Sequence, residues 1–288
     1  MKLDKVLARQ FPLTEHTLTP RDCMLYSLGV GVGTRPEAAE DLQYVYEDHE
    51  EGLKVFPAMV NVICHPGAWV KEPELEIDWV RLLHGEQSFV IQRPLSPGRT
   101  YVGTYRVANV IDKGPGKGAM LYLEKALTDK DSGQLVATVT STYVLRGDGG
   151  CGGTTDKPPA MHAIPETPAA DTISLTTLPQ AGLIYRLSGD YNPIHASPAI
   201  ARNAGFERPI LHGLCTMGIA TRAMLQGCCE DRPDRLRSVS LRFSSPVYPG
   251  ETIMTEFWNT KTGVSFRATA AERKVVVLNN GYADIAPV

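Results

Sequence analysis

Eleven consecutive residues, Tyr185-Arg-Leu-Ser-Gly-Asp-Tyr-Asn-Pro-Ile-His195, gather groups able to hold and move a proton. Asp190 and His195 stand five positions apart, so a continuous helix would point them to different sides. The chain cannot stay helical here, however. Gly189 ends the helical pattern, and Pro193 drives Asn192 toward an extended conformation. The resulting bend can converge carboxylate and imidazole on one water, an acid/base device suited to neutral pH. Asn192, both donor and acceptor, is placed to fix that water or the pair. An isolated Asp and His near a helix end would more often be a cap and a surface imidazole; the density of the segment favours chemistry.

The flanking elements must position this pair. Ser197 as N-cap and Pro198 at the first position start a short helix that Gly205 ends. Then Pro209-Ile-Leu-His-Gly-Leu-Cys-Thr-Met-Gly-Ile-Ala220 opens a long apolar helix, whose Gly213, Gly218 and Ala220 allow close backbone approach. The first-turn N–H groups have no intrahelical acceptors and carry the positive end of the helix dipole. The Gly213 N–H is therefore a candidate oxyanion donor. His212 is read as support for the loop before Gly213 rather than as a catalytic group.

The chain also repeats itself. Arg93–Tyr105 can be laid on Ser245–Phe257, so that Pro94, Pro97 and Gly98 fall on Pro246, Pro249 and Gly250. Met24–Gly29 lies likewise on Leu183–Ser188, and Val55–Ile63 on Leu211–Ile219. Three matches in one order point to a duplication. Each half reads as a short helix, a loop, a longer apolar helix and several antiparallel strands. Strands are expected over 88–94, 100–111, 119–128, 134–145, 238–243, 252–260, 264–271 and 274–282. A sheet with one apolar face needs a helix to cover it. The expected class is therefore α+β: a double hot-dog fold, two antiparallel sheets each wrapped on a central helix, side by side. Residues 1–146 form the first unit, 147–171 a Gly- and Pro-rich linker and 172–288 the second. The alignment places Gly31, Gly33, Pro36 and Pro57 where the second half has Asp190, Asn192, His195 and Gly213. The first half is thus expected to shape a pocket without running the reaction, and His84 within it is read as structural.

Composition narrows the function. Across 288 residues the chain is 43% hydrophobic and 21% charged, with a formal net charge of −3, which argues against a nucleic-acid partner. Nothing in the sequence is long and apolar enough to span a membrane, and the N-terminal residues lack the apolar core of a secretory signal. The six cysteines show no C-x-x-C pair and no Cys/His metal spacing, so free thiols in a reducing cytoplasm and no metal are expected. Gly29-Val-Gly-Val-Gly33 lacks the spacing of a dinucleotide loop.

The segment from Tyr185 to His195 resembles the hydratase-2 signature of the MaoC-like enoyl-CoA hydratases: Ser188, Gly189, Asp190, Asn192, Pro193, Ile194 and His195 all fit. The resemblance extends to Arg21–Gly29 and to Leu211-His-Gly213, and covers nearly the whole chain. It implies reversible syn addition of water to a trans-2-enoyl-CoA to give the (3R)-hydroxyacyl-CoA, with no cofactor beyond the CoA of the substrate. Asp190 and His195 would be the acid/base pair, Asn192 their support and the Gly213 N–H the donor to the thioester enolate. The first half would widen the acyl pocket, its central helix displaced, with Phe56, Met59 and Val60 as wall residues. Lys113 and Lys117, in a turn that is not a P-loop, could reach a CoA phosphate. A homodimer is expected. A cytoplasmic site is preferred to a peroxisomal one, since the closing residues are not of the Ser-Lys-Leu type. Three other readings stand beside this one: a dehydratase of acyl-carrier-protein thioesters, a hot-dog thioesterase and a non-catalytic acyl-CoA binder.

Overall fold

The computed structural model describes residues 1–287. Its framework is ten antiparallel strands: β1 (Thr14–Thr17), β2 (Leu82–Ile91), β3 (Thr100–Asp112), β4 (Ala119–Asp129), β5 (Leu135–Leu145), β6 (Asp171–Thr176), β7 (Leu236–Phe243), β8 (Thr252–Asn259), β9 (Val264–Ala270) and β10 (Val275–Ile285). They form one sheet in the order β1-β3-β4-β5-β2-β7-β10-β9-β8-β6. Read from either end, the order repeats, so each half contributes five strands of the same plan. The two halves meet where β2 pairs with β7, and Ser88 lies opposite Ser240. Ser88 and Ser240 are spaced in sequence as Pro94 and Pro246 are, so the axis relating the halves passes between the two serines. The two hot dogs thus sit side by side as one continuous sheet. The eight expected strands are present within a few residues of their bounds, except that β2 begins six residues earlier than expected. The structure adds the short edge strands β1 and β6, whose four to six residues carry too little alternation to read from sequence.

The helices are α1 (Leu3–Leu7), α2 (Pro20–Gly29), α3 (Ala39–Val45), α4 (Ala181–Tyr185), α5 (Pro198–Asn203) and α6 (Gly213–Cys228). A capping box starts α2: the Thr19 hydroxyl accepts from the Asp22 N–H, and the Asp22 carboxylate accepts from the Thr19 N–H. Its counterpart α4 packs against it, with Tyr26 and Tyr185 at a ring separation of 5.6 Å. Eleven consecutive residues of α6, Cys215–Leu225, are buried, and it is the central helix of the second half.

The first half departs from expectation. The segment aligned with α6 forms only a 3₁₀ turn, Pro57–Asn61, and no long helix. Three local features stop propagation. Cys64 is left-handed (φ 53°), Pro66 brings no N–H and restricts His65, and Gly67 is again left-handed (φ 75°). The central helix of this half is absent, not displaced. Residues 57–81 cover the sheet with short 3₁₀ turns instead.

Between β5 and β6 the connection forms a single bridge, Thr154 to Ile111. It is tied down farther along by Trp258 Nε1 donating to the Thr167 carbonyl (2.7 Å) and by His162 against Ser265 Oγ (2.6 Å). All six cysteines are free thiols. No described helix is long and apolar enough to cross a membrane.

Because the core runs through the β2–β7 seam, the halves should unfold together. Phe89, 1% exposed on β2, faces Val239 across that seam. Phe89→Ala should cost about 3–5 kcal/mol while calorimetry still shows one transition. Two separate transitions would mean that the halves are independent units.

Candidate active site

The segment from Tyr185 to His195 is a succession of tight local bonds. After α4 a 3₁₀ turn, Arg186–Ser188, runs into Gly189, whose φ of 124° few other residues adopt. Asp190 Oδ1 accepts from the Asn192 N–H (3.0 Å), and Asn192 Oδ1 accepts from the Ile194 N–H (3.2 Å). The amide oxygen of Asn192 therefore caps the 3₁₀ turn Pro193–His195. It acts on the backbone that presents His195, an indirect role that sequence alone does not distinguish from direct support of the pair.

His195 is 9% exposed, and its Nδ1 lies 2.8 Å from the Ile210 carbonyl. A carbonyl only accepts, so Nδ1 carries the proton and the neutral ring keeps a lone pair on Nε2. Burial lowers the pKa of His195 below its ordinary value; the Ile210 bond and the nearby Asp190 charge oppose that shift. The ring stacks on His212 at 3.7 Å between centroids. His212 Nε2 donates to the backbone carbonyl of Asp190 (3.1 Å), and burial together with the His195 charge pushes its pKa down to about 4. His212 is thus a neutral brace that ties the Asp190 backbone to the residue preceding α6. A carboxylate oxygen of Asp190 and one nitrogen each of His195 and His212 lie within 4.8 Å of one another. This trio could present ligands to a cation, although one nitrogen of each ring is already engaged with a backbone carbonyl.

Gly213 is the first residue of α6. A Cβ there would stand 3.2 Å from the Phe243 ring, so any larger residue would press on that ring; the position also offers an N–H. The next helical residue, Leu214, lines a cavity of about 190 Å³ together with Asp190.

The rest of that cavity comes mainly from the first half, even though this half lacks the acid, amide and imidazole of the second. Asn61, His65, His84, Gln87 and Lys125 all line it. Asn61 Nδ2 donates to the Ala58 carbonyl (2.9 Å), which fixes its amide orientation; Gln87 Nε2 then donates to Asn61 Oδ1 (2.7 Å). Gln87 Oε1 must accept, and it does so from Ser141 Oγ (2.7 Å) and from His84 Nε2 (2.8 Å). Burial lowers the His84 pKa, so the ring is neutral with its proton on Nε2. A β-bulge between His84 and Glu86 turns His84 and Gln87 to the same side. Polar residues in Leu83-His-Gly-Glu-Gln87 are the available sequence signal, but only the bulge reveals the common direction. His84 also packs on Phe243 (4.9 Å between centroids), the ring that meets Gly213.

This geometry, on a duplicated hot-dog framework, agrees with the comparisons with known proteins. Residues 16–147 match the MFE-2 hydratase 2 N-terminal domain, and residues 160–280 match the MaoC like domain. A peroxisomal enoyl-CoA hydratase 2 of Arabidopsis thaliana is 35% identical over 98% of this chain and 94% of its own length. The chain belongs to the MaoC-like enoyl-CoA hydratase 2 family. A 3-hydroxyacyl-thioester dehydratase Y of Mycobacterium tuberculosis is 40% identical over 85% of this chain and 83% of its own. The crystal structure of a MaoC-like dehydratase from Phytophthora capsici superposes with a TM-score of 0.87 at 34% identity, covering 99% of this chain and 98% of that one.

Within this hydratase 2 framework the residues expected to bind substrate separate. Met59 lines a second cavity of about 420 Å³ with Leu25, Val62, Ile63, Leu187 and Gly189; that cavity shares His65 with the first. Phe56 and Val60 line neither cavity. Phe56 is fully buried against Tyr44 and Tyr26, and Val60 is 1% exposed. The helical face assumed for them vanishes with the helix. Lys113 and Lys117 are exposed in the β3–β4 turn and line neither cavity.

Two substitutions separate donor from space at Gly213. Gly213→Ala keeps the N–H and presses on Phe243; Gly213→Pro also removes the N–H. If the N–H stabilises an oxyanion, the proline variant should lose about 10²–10³ in turnover, and the alanine variant clearly less. Equal losses would assign the effect to crowding of Phe243.

Proposed function

We propose that this chain is a (3R)-specific 2-enoyl-CoA hydratase, adding water reversibly and syn to a trans-2-enoyl-CoA. The observation that carries this reading is the convergence of the Asp190 carboxylate with a His195 ring whose Nδ1 is anchored, beside the first turn of α6. Water held between the carboxylate and Nε2 loses a proton to the pair as its oxygen bonds to C3. The thioester becomes an enolate whose oxygen faces the Gly213 N–H. C2 then takes a proton from the same pair, on the same face, which makes the addition syn. Every proton is accounted for by water and two side chains. The acyl chain runs past His65 toward the cavity bounded by Met59, Val62 and Ile63.

Dehydration of a carrier-protein thioester uses the same atoms in reverse, and the Mycobacterium relative named a thioester dehydratase keeps that direction open. Comparing crotonyl-CoA with a crotonyl carrier protein distinguishes the two. Release of free CoA would instead indicate a thioesterase. Exposed Leu183, Leu187 and Tyr191 beside the site support a homodimer, and the free thiols support a cytoplasmic setting.

Asp190→Asn and His195→Gln should each keep the fold and lower hydration of crotonyl-CoA by about 10²–10⁴, with wild type giving the (3R) product on chiral analysis. Turnover within a few-fold of wild type would remove that residue from the mechanism; a (3S) product would overturn the stereochemical reading. The base must be neutral, and His195 in the fold titrates below its ordinary 6.5. The kcat/KM profile should therefore be flat at pH 7, with its acid limb below 6.5. An acid limb above that value would exclude His195 as the base. Unfolding frees the same ring to take a proton at its ordinary value, so stability should fall as pH drops through 6.5 toward the folded value.

A further inference from the structure

Along β4 the inward positions read Leu121, Leu123, Lys125, Leu127, so an ammonium stands in a row of leucines. Lys125 is 3% exposed and, among the described residues, has no carboxylate within ion-pair distance. Its Nζ donates to three backbone carbonyls: Val60 (2.6 Å), Asn61 (3.2 Å) and Ile63 (3.0 Å). In a continuing α-helix these carbonyls would accept from the N–H groups of residues 64, 65 and 67. The chain turns away at Cys64 and Pro66, so they are left open, and buried open carbonyls are costly. The next carbonyl, that of Cys64, is held similarly, by Tyr105 Oη (2.6 Å) and Thr14 Oγ1 (2.9 Å).

The second half provides an internal comparison. The alignment that lays Arg93–Tyr105 on Ser245–Phe257 places Tyr105 on Phe257. The cross-strand partner of Tyr105 is Lys125, and that of Phe257 is Phe266. Lys125 therefore occupies the place of a fully buried phenyl ring in the half that keeps its central helix. Where the helix satisfies its own backbone, an apolar side chain suffices. Where the helix is missing, a cation supplies the donors.

The segment Lys125 holds is the partition between the two cavities. Asn61 faces the Asp190 cavity, Met59, Val62, Ile63 and Cys64 face the larger one, and His65 borders both. We propose that Lys125 is a positioning residue that pins the 60–65 wall in place of a helix and thereby sets which acyl chains the site accepts. It acts through the wall, since its three N–H donors are all taken. Burial draws the Lys125 pKa down to about 7, a desolvation cost that leucine at this position would avoid. The proposal rests on the acyl-CoA reading of the site, and its test is chosen to separate the two.

Saturated butyryl-CoA and decanoyl-CoA, which cannot be hydrated, report pocket shape without chemistry. Lys125→Met, nearly isosteric but without donors, should weaken decanoyl-CoA about tenfold by calorimetric titration and leave butyryl-CoA within about threefold. The same variant should raise KM for decenoyl-CoA clearly more than KM for crotonyl-CoA. Lys125→Arg, which keeps donors, should restore the wild-type ratio of the two chain lengths. Should Lys125→Met fail to fold, Lys125→Gln, which keeps two N–H groups, carries the same comparison with a smaller split. Equal loss on both chain lengths would reduce Lys125 to a general stability element, and unchanged binding of both would remove it from the pocket. Failure of decanoyl-CoA to bind the wild type would also overturn the proposal. A wild type that binds both but hydrates neither would overturn the hydratase reading alone, leaving the binding split to decide Lys125.

Discussion

Ten antiparallel strands present one long apolar face, and a single full-length helix, α6, lies against it. Everything else in the molecule accommodates that asymmetry. A buried sheet face must be covered, and whatever covers it must satisfy its own backbone polar groups. In the second half α6 does both through its own hydrogen bonds. In the first half a broken segment covers the face and leaves carbonyls that side chains from β1, β3 and β4 must meet. The space left by the missing helix adjoins Leu187, Ser188 and Gly189, so the departure from symmetry opens a cavity beside the segment that carries Asp190.

The site shows how little of such a device need be charged. His195 and His212 are both held neutral by burial, one with a free Nε2 and one as a brace. The first half contributes a chain of amides, Asn61 to Gln87, whose direction is set from one end by the Ala58 carbonyl and passed on to His84. A row of donors and acceptors of this kind has a single consistent arrangement, and that gives the cavity a rigid polar wall. The wall reaches Gly213 through the packed rings of His84 and Phe243, so the two halves share one site.

Much of this is legible in the residues. The bend at Gly189 and Pro193, the cap at Ser197, the Gly213 helix start and eight strands arise from local chemistry: φ limits, missing N–H groups and period-two alternation. The duplication is legible because both halves keep the same Pro-Gly turn and strand sequence. Reading fails where a local pattern is taken to imply a long-range outcome. Val55–Ile63 looks like a helix start because it aligns with one; Pro66 and the left-handed Cys64 and Gly67 end it. The expectation that Phe56 and Val60 line a pocket assumed a helical face, and the segment forms a 3₁₀ turn instead.

The sequence by itself determined which residues could do chemistry, because acid, base and bend lie within eleven positions and their geometry is fixed by neighbouring backbone. It also determined the fold class, since strand periodicity and turn residues act over short distances. Tertiary structure alone decided what faces Asp190. His84, Gln87 and Asn61 reach the site across the β2–β7 seam and the inner sheet face, from positions more than a hundred residues away in the chain. A bulge, a register and an absent helix select those side chains, and each of these is a property of pairing between distant segments that no local pattern encodes.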